Sequence, residues 1–114
     1  MQPANKINSF EAIVHRLKKT LPDSIETYHT NQTSTYPLIK IVLGKGNPQR
    51  VLISAGIHGD EPGSVESLLS FLQDEHYLPY INNWEITLLP CINPHGYEFE
   101  TRENHQGKDL NRLF

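Results

Sequence analysis

Residues 50–57 read RVLISAGI, residues 62–76 read PGSVESLLSFLQDEH and residues 84–90 read WEITLLP. The first is a short continuous apolar run, the pattern of a central strand buried on both faces. In the second, Val65, Leu68, Leu69 and Leu72 form one stripe at helical spacing, and Pro62 suits a first helical turn. The third is again a short apolar run of strand length. Strand, helix and strand in this order predict a βαβ unit: two parallel strands in one sheet, with a right-handed crossover helix packed on it. This decides the fold class as α/β.

Outward from that unit, the N-terminal side adds a helix and a hairpin. Phe10, Ile13, Val14, Leu17 and Leu21 fall on one helical face, predicting a helix over 9–21 that packs on the sheet. Ser9 is placed to cap it, Arg16, Lys18 and Lys19 suit its C-terminal dipole, and Pro22 ends it. Strands are predicted over 25–30 and 38–43, where Ile39, Ile41 and Leu43 alternate with Lys40 and Val42. The turn-rich TNQTSTYP between them predicts a hairpin, so the sheet is mixed. GKGNPQ at 44–49 is a second turn; no Lys-hydroxyl pair follows its glycines, so it is not a phosphate loop. Residues 91–114, CINPHGYEFETRENHQGKDLNRLF, have little apolar periodicity and read as mostly functional loop.

Composition narrows the function classes. The 114 residues have room for a single domain, 1–114, with one ordinary core. Ten Lys and Arg against thirteen Asp and Glu give a net charge of −3, which disfavours a nucleic-acid partner bound through its backbone. The single cysteine, Cys91, excludes an intramolecular disulfide framework and a zinc ribbon, and reads as a small buried hydrophobe. No apolar run approaches the roughly 20 residues needed to span a bilayer. The N-terminal MQPANKINSFEAIVHRLKK has no signal-peptide core, so a soluble cytoplasmic protein with no membrane partner is expected. Nothing here sets an oligomeric state.

Ligands of open α/β sheets bind beyond the carboxyl ends of the strands. The loop SAGIHGDEPGS at 54–64 occupies such a place. His58 and Glu61 are three residues apart in it, and imidazole nitrogen and carboxylate oxygen both suit zinc. The same pattern also fits an exposed loop in which Glu61 complements a helix N-terminus. The segment after the strand at 84–90 should lie at the same edge and brings Arg102, Asn111 and Arg112. Arginine binds carboxylates through two parallel hydrogen bonds and asparagine adds an amide donor. Alone, this segment fits a solvated polar loop equally; together the two loops suit an anionic substrate held beside a metal.

HGDE at 58–61, NPHGYEF at 93–99 and DLNRLF at 109–114 resemble the zinc carboxypeptidases of the M14 family, in the same order and over residues 37–114. The wider superfamily includes deacylases of the aspartoacylase and succinylglutamate desuccinylase type. The resemblance implies the N-terminal half of an α/β/α carboxypeptidase-like domain that uses Zn2+. It implies His58 and Glu61 as zinc ligands, Arg102 as the catalytic group polarising the scissile carbonyl, and Asn111 with Arg112 as the substrate-carboxylate clamp. Asp109 is implied as the partner that orients His58, and Pro94 and Gly96 as the turn aiming the Arg102 loop. The family's third zinc ligand, a histidine, and its general-base glutamate lie downstream of the segment seen here. The implied substrate is a peptide or N-acyl amino acid with a free carboxylate, with carboxypeptidase favoured over deacylase and a non-catalytic remnant as a third possibility. His15 and His29 read as packing or surface residues, His76 as a helix-end residue, and His95 and His105 as loop residues outside the motif's fixed positions.

Overall fold

The computed structural model of the chain describes residues 9–21, 23–28 and 36–112. Pro22, His29 and most of the hairpin link lie outside the described residues. The elements are α1 (Phe10–Thr20), β1 (Ile25–Tyr28), β2 (Leu38–Leu43), β3 (Gln49–Ser54), α2 (Gly63–Gln73), β4 (Trp84–Leu89) and α3 (Pro94–Phe99), then a 3-10 turn at Leu110–Arg112.

α1 forms as its apolar stripe requires. Ser9 Oγ accepts a hydrogen bond from the Ala12 backbone N–H at 3.3 Å, satisfying one of the donors left open at a helix start. Phe10, Ile13 and Leu17 are buried on its inner face. α2 buries Val65, Leu68, Leu69 and Leu72. Arg16 ties the two helices together, donating to Glu66 at 2.8 Å and to the Gln73 side chain at 2.7 Å.

The sheet is mixed, with strand order β1-β2-β4-β3. β1 pairs antiparallel with β2, β2 antiparallel with β4, and β3 parallel with β4. Register places Ile41 opposite Leu88 and Leu88 opposite Ile53, so these three share a face with Ile39, Ile86 and Val51. That face meets α1 and α2 in one apolar core that includes Ile39, Ile41, Ile86 and Leu88. Lys40, Val42, Thr87, Leu52 and Arg50 alternate to the other face. Among the described residues no helix is long and apolar enough to cross a membrane.

Two expectations are corrected. β3 is not a central strand buried on both faces. It lies at the sheet edge, pairing among the described strands with β4 alone, and Leu52 is 64% exposed. Val51 and Ile53 face the helices, while Leu52 points to the open face, so the apolar run is two half-faces read as one. The segment after β4 is also more than loop. Asn93 Oδ1 accepts from the Gly96 backbone N–H at 3.0 Å, Pro94 occupies the first turn, and α3 follows. Asn93, Pro94, Gly96 and Tyr97 are all buried. Pro94 and Gly96 thus lie in the first turn of this helix.

The parallel pairing positions the site, because β3 and β4 end at the same sheet edge. Their ladder continues beyond both strands: Ala55 N–H donates to Leu89, Ile92 N–H to Ala55 and Asn93 N–H to Gly56, at 2.9–3.1 Å. Gly56 has φ +75°, a conformation side chains disfavour, and a Cβ there would meet Val65 and the Cys91 backbone at 3.0–3.2 Å. Cys91 is buried beside it, and desolvation pushes its thiol up to about 12, which leaves it inert as a nucleophile.

Candidate metal and carboxylate site

His58 and Glu61 stand in the loop after β3, held by a turn in which the Glu61 N–H donates to the His58 carbonyl at 3.2 Å. Their side chains converge, with His58 Nδ1 2.7 Å from Glu61 Oε2. The other ring nitrogen, Nε2, lies 2.9 Å from Asp109 Oδ1. Asp109 is anchored on both oxygens. Oδ1 also accepts from the Asn111 backbone N–H at 3.0 Å, and Oδ2 accepts from Arg102 Nε at 2.8 Å. Arg112 Nε lies 3.9 Å from Oδ2, at ion-pair distance, on a side chain 74% exposed.

The electrostatics follow from this arrangement. The hydrogen bond that His58 donates to Asp109 raises the His58 pKa above the ordinary imidazole value, against a smaller opposing effect of burial. Desolvation pushes the Asp109 carboxyl up, but the hydrogen bonds from Arg102 and His58 outweigh it and hold the group at about 2. The same bond to Asp109 raises Arg102 further, so its charge is permanent.

The donor set suits zinc. Two donors of one tetrahedral zinc ion at about 2.1 Å stand about 3.4 Å apart. His58 Nδ1 and Glu61 Oε2 face each other at 2.7 Å, so a separation of under an ångström would admit the ion. Asp109 on Nε2 leaves Nδ1 as the ligating atom, the arrangement in which a metal-bound histidine donates its other N–H to a carboxylate. Among the described residues no group of three His, Cys, Asp or Glu side chains could hold a metal.

A cavity of about 520 Å³ opens beside these groups, lined by Ile57, His58, Glu61, Gly63, Ser64 and Asn111. Asn111 thus lines the cavity, whereas Arg102 and Arg112 do not and pair with Asp109 instead. His95 packs its ring on Phe99 at 4.7 Å and lies 6.1 Å from the His105 ring. His15 is exposed on α1 and His76 is exposed beyond the end of α2.

Sequence reasoning missed one residue that builds the site. Asn93 is the buried polar residue beneath it, 1% exposed. The pair Asn93-Pro94 carries a helix-start signal that could have marked it. Gly59 lies against α3, where a Cβ would collide with the Gly96 carbonyl carbon and oxygen and the Tyr97 nitrogen.

Comparison with known proteins bears on the family and the fold. The sequence model of the succinylglutamate desuccinylase/aspartoacylase catalytic domain matches residues 47–114. Murein peptide amidase A of Escherichia coli (strain K12) is 37% identical over 78 residues, covering 68% of this chain and 31% of that protein. The chain therefore spans about a third of the length of that relative. Bovine thrombin-activatable fibrinolysis inhibitor, solved in complex with tick carboxypeptidase inhibitor, superimposes with a TM-score of 0.66 at 26% identity, covering 92% of this chain and 40% of that one. A metallo-carboxypeptidase from Burkholderia cenocepacia shares the fold, with a TM-score of 0.65 at 20% identity over 89% of this chain and 30% of its own. With a catalytic-domain match over more than half its length and a carboxypeptidase-like mixed sheet, the chain belongs to the succinylglutamate desuccinylase/aspartoacylase catalytic-domain family.

Proposed function

We propose that residues 1–114 are part of one catalytic domain of a zinc-dependent hydrolase that cleaves a peptide or amide bond close to a free carboxylate. The observation that carries this is Asp109, which joins the two halves of the site by accepting from His58 through one oxygen and from Arg102 through the other. Zinc, when bound, supplies a Lewis acid and lowers the pKa of its water. His58 and Glu61 are the residues of this chain that hold it. Asp109 fixes the His58 ring and its tautomer. Arg102 offers guanidinium donors to the scissile carbonyl, where they stabilise negative charge as it develops. Asn111 and Arg112 hold the substrate carboxylate.

The name of the E. coli relative supports a peptide amide as the substrate class. The family match supports a second reading, a deacylase that removes an acyl group from an N-acyl amino acid. Both need the same carboxylate clamp. Calorimetry with zinc-loaded protein tests it: an N-acyl dipeptide should bind at least tenfold tighter than its C-terminal methyl ester, and Arg112→Ala should erase the difference. Equal binding of acid and ester would overturn the proposal. An N-acyl amino acid binding tighter than the dipeptide would select the deacylase.

A further inference from the structure

The Arg102 loop has little regular structure, yet its aim decides where the guanidinium points. Much of its hydrogen bonding is internal. Asn104 Oδ1 accepts from the Gln106 and Lys108 N–H groups at 2.9 Å, and Asn104 N–H donates to the Lys108 carbonyl at 2.8 Å. These bonds close the loop on itself without fixing it to the sheet.

Asn93 supplies the attachment. Its Nδ2 faces three carbonyls: Ile57 at 3.2 Å, Glu103 at 3.2 Å and Arg102 at 3.4 Å. Its Oδ1 accepts from the Gly96 N–H, which settles the orientation of the amide, since the nitrogen side meets only acceptors. Ile57 immediately precedes His58. One amide therefore touches the backbone next to the metal-site histidine and the backbone of Arg102 itself. Gly96 lacks a side chain where a Cβ would strike Asn93 Nδ2, and Gly59 lacks one where it would strike Gly96. The two glycines let the His58 loop, Asn93 and the Arg102 loop close on one another.

We propose that Asn93 is a positioning residue that sets Arg102 relative to His58, acting through the two loop backbones rather than on substrate. This rests on the reading of His58 and Arg102 as parts of one site. A helix cap alone would ask less of it: aspartate caps as well as asparagine, but it has no N–H to offer the carbonyls of Ile57, Arg102 and Glu103.

The test uses the metal-free chain and proton exchange measured by NMR at Arg102 Nε–H, the proton donated to Asp109. Asn93→Asp keeps size and cap, and Asn93→Ser keeps the cap; each should speed that exchange at least tenfold. Ile39→Val, a core substitution that destabilises away from the loops, should leave it within twofold. Unchanged Arg102 Nε–H exchange in both Asn93 variants would overturn the proposal. A measurement on the unaltered chain guards against variants that fail to fold: its Asn93 side-chain amide protons should exchange at least a hundredfold slower than those of an exposed asparagine, and equal rates would also overturn it. Cobalt(II) binding by the chain and by His58→Ala reports separately on the metal reading, so failure of one is not read as failure of the other.

Discussion

His58 Nε2 and Asp109 Oδ1 are hydrogen-bonded at 2.9 Å, although 51 residues separate them in sequence. The bond orients the imidazole and leaves Nδ1 facing Glu61. Partners of this kind typically account for 10–100-fold in metal affinity. Asp109→Ala is therefore expected to weaken zinc binding by about that factor while His58 and Glu61 remain. Zinc titration of the variant checks it.

Stability should depend on pH through Asp109 with a definite sign. Its folded pKa, about 2, lies below the ordinary value of 3.8. Between those values the unfolded chain binds more protons, so stability rises with pH there and is lost as pH falls toward 2. His58 acts oppositely. Its folded pKa is raised above 6.5, so its contribution is complete below 6.5 and is lost as pH rises through the folded value. Denaturant midpoints of the metal-free chain should fall on acidification from pH 4 to pH 2, and Asp109→Asn should flatten that limb.

The close approach of Gly59 to α3 predicts a cost for any side chain there. Gly59→Ala should destabilise by about 1–3 kcal/mol, the usual range for overpacking. The edge position of β3 predicts the contrast between two leucines. Leu88, fully buried, should cost about 2–5 kcal/mol on truncation to alanine. Leu52→Ala, on the open face, should change stability by no more than about 0.5 kcal/mol. Urea unfolding of the three variants measures all of these.

Catalysis by residues 1–114 alone is expected to be undetectable even with saturating zinc. A catalytic zinc takes three protein ligands and a water, and the described residues offer two converging donors. General acid–base help is worth about 10²–10⁴ in rate, and none of Glu98, Glu100 and Glu103 is assigned that role. A chelator-sensitive release of a C-terminal amino acid from a peptide by the purified chain would contradict this.

The βαβ unit was legible because Val65, Leu68, Leu69 and Leu72 repeat at a period only a helix satisfies, between two runs of strand length. The place of β3 in the sheet was not, because strand order is decided by long-range pairing and an apolar run looks alike at centre and edge. α3 was hidden for another reason: six residues cannot display a helical stripe, so only its Asn-Pro start signal was readable. In the site, residue types and motif order pointed to His58, Glu61, Arg102, Asn111 and Arg112. The resemblance also pointed to Asp109 beside His58, but spacing could not reveal that the same carboxylate holds Arg102 through its other oxygen. Asn93 escaped notice because its work is done from beneath the loops, where a neutral amide carries no charge pattern.

The central claim is that His58 and Glu61 hold one metal ion. Calorimetric titration of the chain with zinc at neutral pH measures it directly. The account predicts one zinc per chain, with binding lost in His58→Ala and strongly weakened in Glu61→Ala, in proteins whose circular dichroism is unchanged. Zinc binding with the same affinity in the chain and in both variants would contradict it.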